Sequence, residues 1–204
     1  MTNDILLLIA DSIGIMAFAL SGLFIATKER LDLLGLFIIA FLTALGGGVI
    51  RDIIIDRPPM SFTHYSPAFL VISVIVIGLL FKLHKKSEIE SHYLFIFSDT
   101  LGLVSFAITG GLLGIGADFH IIGVMFLALI TAVGGGVVRD MLLNEVPLLL
   151  KSDFYGSIAL LVGMTLYFLY IEEMLNGASI FVVFIGGVML RLVAFYRDWH
   201  LPKL

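Results

Sequence analysis

Cysteine is absent from all 204 residues, which removes disulfide frameworks, thiolate metal sites and thiol nucleophiles and leaves the redox compartment unread. Charge is scarce as well. Asp, Glu, Lys and Arg make up 14% of the chain, against about 25% in a soluble globular domain. The 12 basic residues stand against 16 acidic ones, a net charge of −4, and so apolar and mildly acidic a chain does not suit nucleic acid. There is no nucleophile–base pair, metal-ligand spacing or phosphate loop. The one glycine-rich motif, GGGVIRD, lacks a following Lys-Ser/Thr and a preceding strand, so it is not a nucleotide motif. We therefore expect no enzyme activity, no metal and no cofactor. The start of the chain lacks a basic region and a small-residue cleavage site, so its first apolar run is expected to stay as a helix.

Hydrophobic residues supply 60% of the chain, and its mean hydropathy is +1.11. Runs long enough to span a bilayer, which takes about 20 mostly apolar residues, fall at 5–26, 33–55, 66–83, 93–115, 121–144, 154–172 and 178–196. This predicts an all-α membrane protein with seven transmembrane helices and a single domain over 1–204. The breaks are short. Thr27 to Asp32 is a charged turn, Asp56-Arg57-Pro58-Pro59 stops the second run, and the longest polar segment runs from Lys82 to His92. Seven spans put Lys28, Arg30, Lys82, Lys85, Lys86, Lys151, Arg197 and Lys203 on one side and Arg57 on the other. By the positive-inside rule the carboxyl terminus is cytoplasmic and the amino terminus outside.

The strongest signal is an internal repeat. A shift of 88 aligns Asp11 with Asp99, Gly14 with Gly102, Phe18 with Phe106, Ser21 with Thr109, Gly22 with Gly110, Thr43 with Thr131 and Pro59 with Pro147. At its centre, Leu45-Gly46-Gly47-Gly48-Val49-Ile50-Arg51-Asp52 matches Val133-Gly134-Gly135-Gly136-Val137-Val138-Arg139-Asp140. Repeat A covers 5–83 and repeat B 93–172. Each holds three spans, an odd number, so the second copy is expected to cross the membrane inverted, as in many transport proteins. The run at 178–196 has no partner and is an extra C-terminal helix.

Paired GGGxxRD segments in the second and fifth of seven spans resemble the trimeric intracellular cation channel (TRIC) family, whose prokaryotic members are related to proteins described as glycine transporters. The resemblance runs over nearly the whole chain. It implies a homotrimer with a pore in each subunit beside the kinked second and fifth helices, passing potassium and sodium. The sequence stops soon after the last span, without the long basic tail of animal members. That suits the plasma membrane of a prokaryote.

The residues give their own account of permeation. Three glycines in a row weaken a helix by roughly 1 kcal/mol each relative to alanine. A break at 46–48 frees the carbonyls of Leu42, Thr43, Ala44 and Leu45, and a break at 134–136 those of Ile130, Thr131, Ala132 and Val133. Both sites lie roughly 18 Å into their helices, near the midplane of a core of about 30 Å. Two helix carboxyl ends, each carrying about half a negative charge, would meet there and favour a cation. The pore or ion-binding candidates are thus Thr43, Leu45, Gly46, Gly47 and Gly48 with Thr131, Val133, Gly134, Gly135 and Gly136. The competing reading is close helix packing through small residues.

Intramembrane charges mark function by default. Arg51, Asp52, Arg139, Asp140, Asp11 and Asp99 are therefore candidates for a charge filter or gate. Adjacent helix positions point about 100° apart, so Arg51 and Asp52 are not expected to pair. Matching depths instead suggest Asp11–Arg51 near one mouth and Asp99–Arg139 near the other. A purely structural pair that fixes helix registry fits equally well. Ser12, Ser21, Thr100, Ser105 and Thr109 rank lower, since membrane hydroxyls usually bond their own helix. Arg191 is expected to snorkel toward the cytoplasm or cap a carboxylate. His64, His84, His92, His120 and His200 show no ligand spacing and are expected to be solvated. Besides the bilayer itself, Lys82, Lys85 and Lys86 are candidates to attract anionic lipid, although the orientation rule alone accounts for them. The functional readings are a monovalent cation channel or, alternatively, a secondary transporter for glycine or another small zwitterion. In the transporter, Arg51 or Arg139 would bind the carboxylate.

Overall fold

The computed structural model describes residues 2–83, 88–151, 154–197 and 199. Lys85, Lys86, Lys203, His84 and His200 lie outside them. Every regular element among the described residues is helical: α1 (Thr2–Lys28), α2 (Leu33–Ile54), α3 (Met60–Thr63), α4 (Ser66–Leu80), α5 (Glu88–Gly116), α6 (Ile121–Leu142), α7 (Leu148–Lys151), α8 (Gly156–Ile171) and α9 (Gly177–Tyr196). Five segments are long and apolar enough to cross a membrane: Ile5–Lys28, Leu33–Ile54, His92–Gly116, Ile121–Leu142 and Gly177–Tyr196. Helices α4 and α8 have 15 and 16 residues. At 1.5 Å per residue they reach about 22–24 Å, short of a hydrocarbon core of about 30 Å. The apolar run at 66–83 stops being helical at Leu80, because Lys82 takes a left-handed φ of 53°.

Helix ends repeat 88 residues apart in hydrogen-bonding detail. Asp56 (φ 53°) closes α2 and Asn144 (φ 55°) closes α6. In each, two backbone N–H groups reach back into the last turn: Asp56 to Ile53 and Arg57 to Asp52, then Asn144 to Met141 and Glu145 to Asp140. These are Schellman motifs, and they satisfy carbonyls that the helix leaves unpaired. At the opposite ends the Asp32 carboxylate accepts from the Gly35 N–H at 2.7 Å. His120 Nδ1 accepts from the Gly123 N–H at 3.2 Å. His120 is thus a helix cap as well as a solvated side chain.

Helices α1 and α5 form the centre, packed on one another, and α2 crosses α6 beside them. Phe18 and Phe106 meet edge to face with centroids 5.3 Å apart. Each ring fills the space left open by the other helix's glycine, Phe106 at Gly14 and Phe18 at Gly102.

The glycine triplets do not break their helices. Helix α2 runs uninterrupted from Leu33 to Ile54 and α6 from Ile121 to Leu142. The carbonyls expected to be freed therefore stay within regular helix, and the Thr43 and Thr131 hydroxyls are spent on the Ile39 and Leu127 carbonyls of their own helices, at 2.6 Å each. Packing is the physical reason. A methyl group on Gly47 would collide with the Thr131 carbonyl oxygen, and one on Gly135 with the Thr43 carbonyl oxygen. The two backbones touch, and the tertiary contact offsets the propensity cost of each glycine.

The third glycine of each triplet is different. A methyl on Gly48 or Gly136 would meet nothing closer than 3.6 Å and 3.7 Å, respectively, both times a nitrogen of the arginine one turn on. Gly47→Ala and Gly135→Ala should each lose about 1–3 kcal/mol by overpacking, a fall of roughly 2–12 °C in Tm. Gly48→Ala and Gly136→Ala should be neutral or gain up to about 1 kcal/mol in helix propensity. Thermal unfolding of the four detergent-solubilised variants checks this. Equal losses at all four positions would remove the packing account.

Candidate functional site: two buried charge clusters

Arg51, late in α2, is 2% exposed, and Arg139, late in α6, is 0% exposed. A guanidinium at membrane depth must find partners or distort the bilayer, and both find them in the same arrangement. Arg51 Nε donates to Asp52 Oδ1 at 2.9 Å, and its Nη1 donates to Asp11 Oδ1 at 2.8 Å and to the Thr109 hydroxyl at 3.2 Å. Arg139 Nε donates to Asp140 Oδ1 at 2.8 Å, and its Nη1 donates to the Ser21 hydroxyl at 3.2 Å. Ser21 in turn donates to Asp99 Oδ1 at 3.1 Å. The first cluster thus joins Asp11 to Arg51 directly. The second inserts a hydroxyl, and Asp99 stands 3.7 Å from Arg139 Nη1.

The depth argument placed these partners correctly in space, Asp11 with Arg51 and Asp99 with Arg139. The expectation that neighbouring Arg51 and Asp52 would not pair is corrected. The 100° between adjacent positions applies at Cβ, whereas Nε sits three bonds further out and can swing back to the next side chain. Asp52 and Asp140 also hold the loops. Asp52 Oδ2 accepts from the Met60 N–H at 3.0 Å, and Asp140 Oδ2 from the Leu148 N–H at 2.9 Å. Each carboxylate therefore ties the first residue of a one-turn helix, α3 or α7, back to the end of α2 or α6.

The clusters differ in what surrounds them. Beside the first, Arg57 brings Nε to 3.6 Å from Asp52 Oδ1, and Asp11 and Ser12 line a cavity of about 280 Å3 with Pro67. Position 155, the counterpart of Pro67, is a buried tyrosine, and Arg191 Cζ of α9 lies 5.0 Å above its ring. The guanidinium of Arg191 is buried and does not snorkel to an interface. Arg139 Cζ is 5.5 Å over the Phe95 ring. Arg139 Nη2, Arg191 Nε, the Tyr155 hydroxyl and the Ser105 hydroxyl are buried without a hydrogen-bond partner among the described residues. Formal charge balances in each place: Arg51 and Arg57 against Asp11 and Asp52, Arg139 and Arg191 against Asp99 and Asp140. The counterpart of Arg57 is Glu145, outside the spans. There the Lys151 ammonium, donating at 2.9 Å, holds the Glu145 carboxyl below its usual range.

Between the clusters runs a seam of hydroxyls. Ser21, Thr43, Thr109 and Thr131 are all fully buried. Gly22 packs against Thr43 and Gly110 against Thr131, so the serine and threonine of α1 and α5 stand next to those of α2 and α6. Leu45 and Val133 are buried at the same crossing. Tyr155 carries no warning in the sequence, because it lies outside the matched motif. Arg191 was visible as a charge in an apolar run, although its place among the second cluster was not.

The chain matches the family described as glycine transporter over residues 8–85 and 96–171. The UPF0126 membrane protein YvgT of Bacillus subtilis is 33% identical over 94% of this chain and 93% of its own length. The inner membrane protein YadS of Escherichia coli K12 is 30% identical over 94% and 91%. Among solved structures, a prokaryotic TRIC channel superposes with a TM-score of 0.88 at 31% identity, covering 97% of this chain and 99% of that one. A second TRIC cation channel, solved for the structural basis of conductance, gives 0.84 at 32%, covering 96% of both chains. The chain is a multi-pass membrane protein, and it belongs to the family that unites the TRIC channels with the bacterial membrane proteins described as glycine transporters.

Proposed function

We propose that the chain is a monovalent cation channel, passing potassium or sodium through each subunit along the hydroxyl seam between the two charge clusters. The observation that carries the reading is the pair of charge-balanced clusters, which hold the buried hydroxyls of Thr109 and Ser21, together with the buried hydroxyls of Thr43 and Thr131 on the crossing helices. Intramembrane charges and polar groups in such an arrangement mark ion pathways. Leu45, Val133 and the glycines Gly46, Gly47, Gly48, Gly134, Gly135 and Gly136 then form the shut midpoint, where α2 and α6 touch, and conduction requires that crossing to part. The Asp11–Arg51 and Asp99–Arg139 pairs, with Asp52 and Asp140 bracing them, act as gates at the two mouths. The likeness to the TRIC cation channels supports the same reading.

In this reading α4 and α8 cross with the five longer helices. The seven spans form two inverted trios, 5–83 and 93–172, plus the helix at 178–196. The amino terminus is outside and the carboxyl terminus cytoplasmic, in a prokaryotic plasma membrane. Subunits assemble as the homotrimer that the TRIC name carries, and the basic cytoplasmic face, Lys82 included, meets anionic headgroups. No cofactor is needed beyond the permeant ions. The glycine-transporter description of the family favours a second reading, in which the same seam carries a small zwitterion.

Purified protein in planar bilayers should give discrete unitary potassium or sodium currents, and vesicles should show no saturable uptake of labelled glycine. Saturable uptake without unitary currents would replace the channel with the transporter. For the gates, Asp11→Asn leaves Arg51 with Asp52 as its remaining carboxylate, at a cost of about 2 kcal/mol. It should lengthen openings by roughly thirtyfold, since each 1.4 kcal/mol is a factor of ten, with little change in unitary conductance. Asp99→Asn should act in the same direction but more weakly, because the contact of Asp99 with Arg139 already runs through Ser21. Unaltered open probability in both variants would leave the pairs purely structural.

A further inference from the structure

Each half of the chain builds a groove beside its first helix, and among the described residues a helix fills only one of them. In the second half α9 lies against α5 and α8, with Gly187 backing onto Val104 and Val162. The residues 88 positions earlier are Met16 and Val74. Both line an open cavity of about 400 Å3 between α1, α4 and α5. The internal repeat has therefore made two seats, and the chain has a single extra helix to place in them.

The chemistry of the empty seat is apolar. Its polar side chain, Ser98, donates its hydroxyl to the Phe95 carbonyl of its own helix at 3.1 Å, so a water inside would lack the two to four partners it needs. Met16, Ile77 and Phe97 stand on the wall and are 39%, 51% and 50% exposed. On membrane-embedded helices that exposure faces hydrocarbon, and the cavity opens sideways to lipid. At one end α4 stops short, Leu83 lines the cavity, and its chain neighbour Lys82 is exposed.

Charge decides between the occupants that an apolar groove can take. Lys82, chain neighbour of the lining residue Leu83, suits a hydrocarbon chain that ends in a negative headgroup. Met16 in place of Val104 also puts a longer side chain into this seat. We propose that the α1/α4/α5 cavity holds one acyl chain of an anionic phospholipid whose headgroup phosphate sits against Lys82. This rests on the reading above that Lys82 faces anionic headgroups; it does not depend on whether the protein conducts ions. Each buried methylene of the chain contributes as any apolar group does on leaving a less well-packed surrounding, and the ammonium adds preference for a negative headgroup.

The test uses the full-length protein in phosphatidylcholine nanodiscs with and without phosphatidylglycerol, read by thermal unfolding and by native mass spectrometry of retained lipid. The wild type should retain about one phosphatidylglycerol per chain and gain roughly 5 °C in Tm from it. Val74→Trp, which fills the cavity, should lose both the retained lipid and the shift. Lys82→Gln alters an exposed side chain and leaves the fold alone. It should keep a retained lipid but lose the preference for phosphatidylglycerol over phosphatidylcholine. Lipid retention unchanged in Val74→Trp would overturn the proposal. So would dissociation of the oligomer by Val74→Trp with lipid retention intact, which would make a second copy the occupant. An unaltered headgroup preference in Lys82→Gln would refute the headgroup contact, and with it the reading of Lys82, while leaving the acyl seat to be judged by Val74→Trp. Should Val74→Trp fail to fold, Met16→Trp fills the same cavity from its rim and is judged by the same lipid retention.

Discussion

The contact on which this structure depends is between two backbones. Gly47 rests on the Thr131 carbonyl and Gly135 on the Thr43 carbonyl, so α2 and α6 cross with no room for a side chain between them. In a membrane, helices gain nothing from hiding apolar surface from water. Van der Waals fit and weak Cα–H···O contacts have to supply the association instead. The fit also fixes depth. Once the two triplets are in register, Arg51 and Arg139, four residues beyond Gly47 and Gly135, have no freedom to choose where their guanidinium groups lie.

That placement explains why each half needs so many partners for one arginine. A buried charge left unpaired costs several kcal/mol, and pairing it rarely makes a net gain over an apolar replacement. The clusters are therefore better understood as positional devices than as sources of stability. Arg51 draws α1 and α5 together through Asp11 and Thr109, and Arg139 does so through Ser21 and Asp99. Asp52 and Asp140 then carry the tie onward to the loops. Each cluster links three elements that the hydrophobic effect cannot hold in register within lipid.

Much of this was legible in the sequence. Hydropathy located the long helices to within a few residues. The 88-residue match made a residue-by-residue correspondence that the hydrogen bonds obey, down to Met60 and Leu148. Depth along the helices paired the right aspartates with the right arginines. The triplets were harder, because a run of glycine has the same signature whether a helix breaks there or another backbone presses on it. The helix-propensity cost was counted without the compensating contact, which depends on a helix 88 residues away. Tyr155, and the place of Arg191 beside it, escaped for a different reason. They belong to the part of the chain where the two repeats have diverged or where the repeat has ended, so no counterpart drew attention to them.

Two helices with the same job begin on different chemistry. Asp32 caps α2 with a carboxylate that accepts a hydrogen bond as an anion and is drawn to the positive end of the helix. His120 caps α6 with the lone pair of an imidazole nitrogen, Nδ1, which accepts from the Gly123 N–H. A molecule assembled from two near-copies thus carries a chemical difference between its twins, written at a single surface residue.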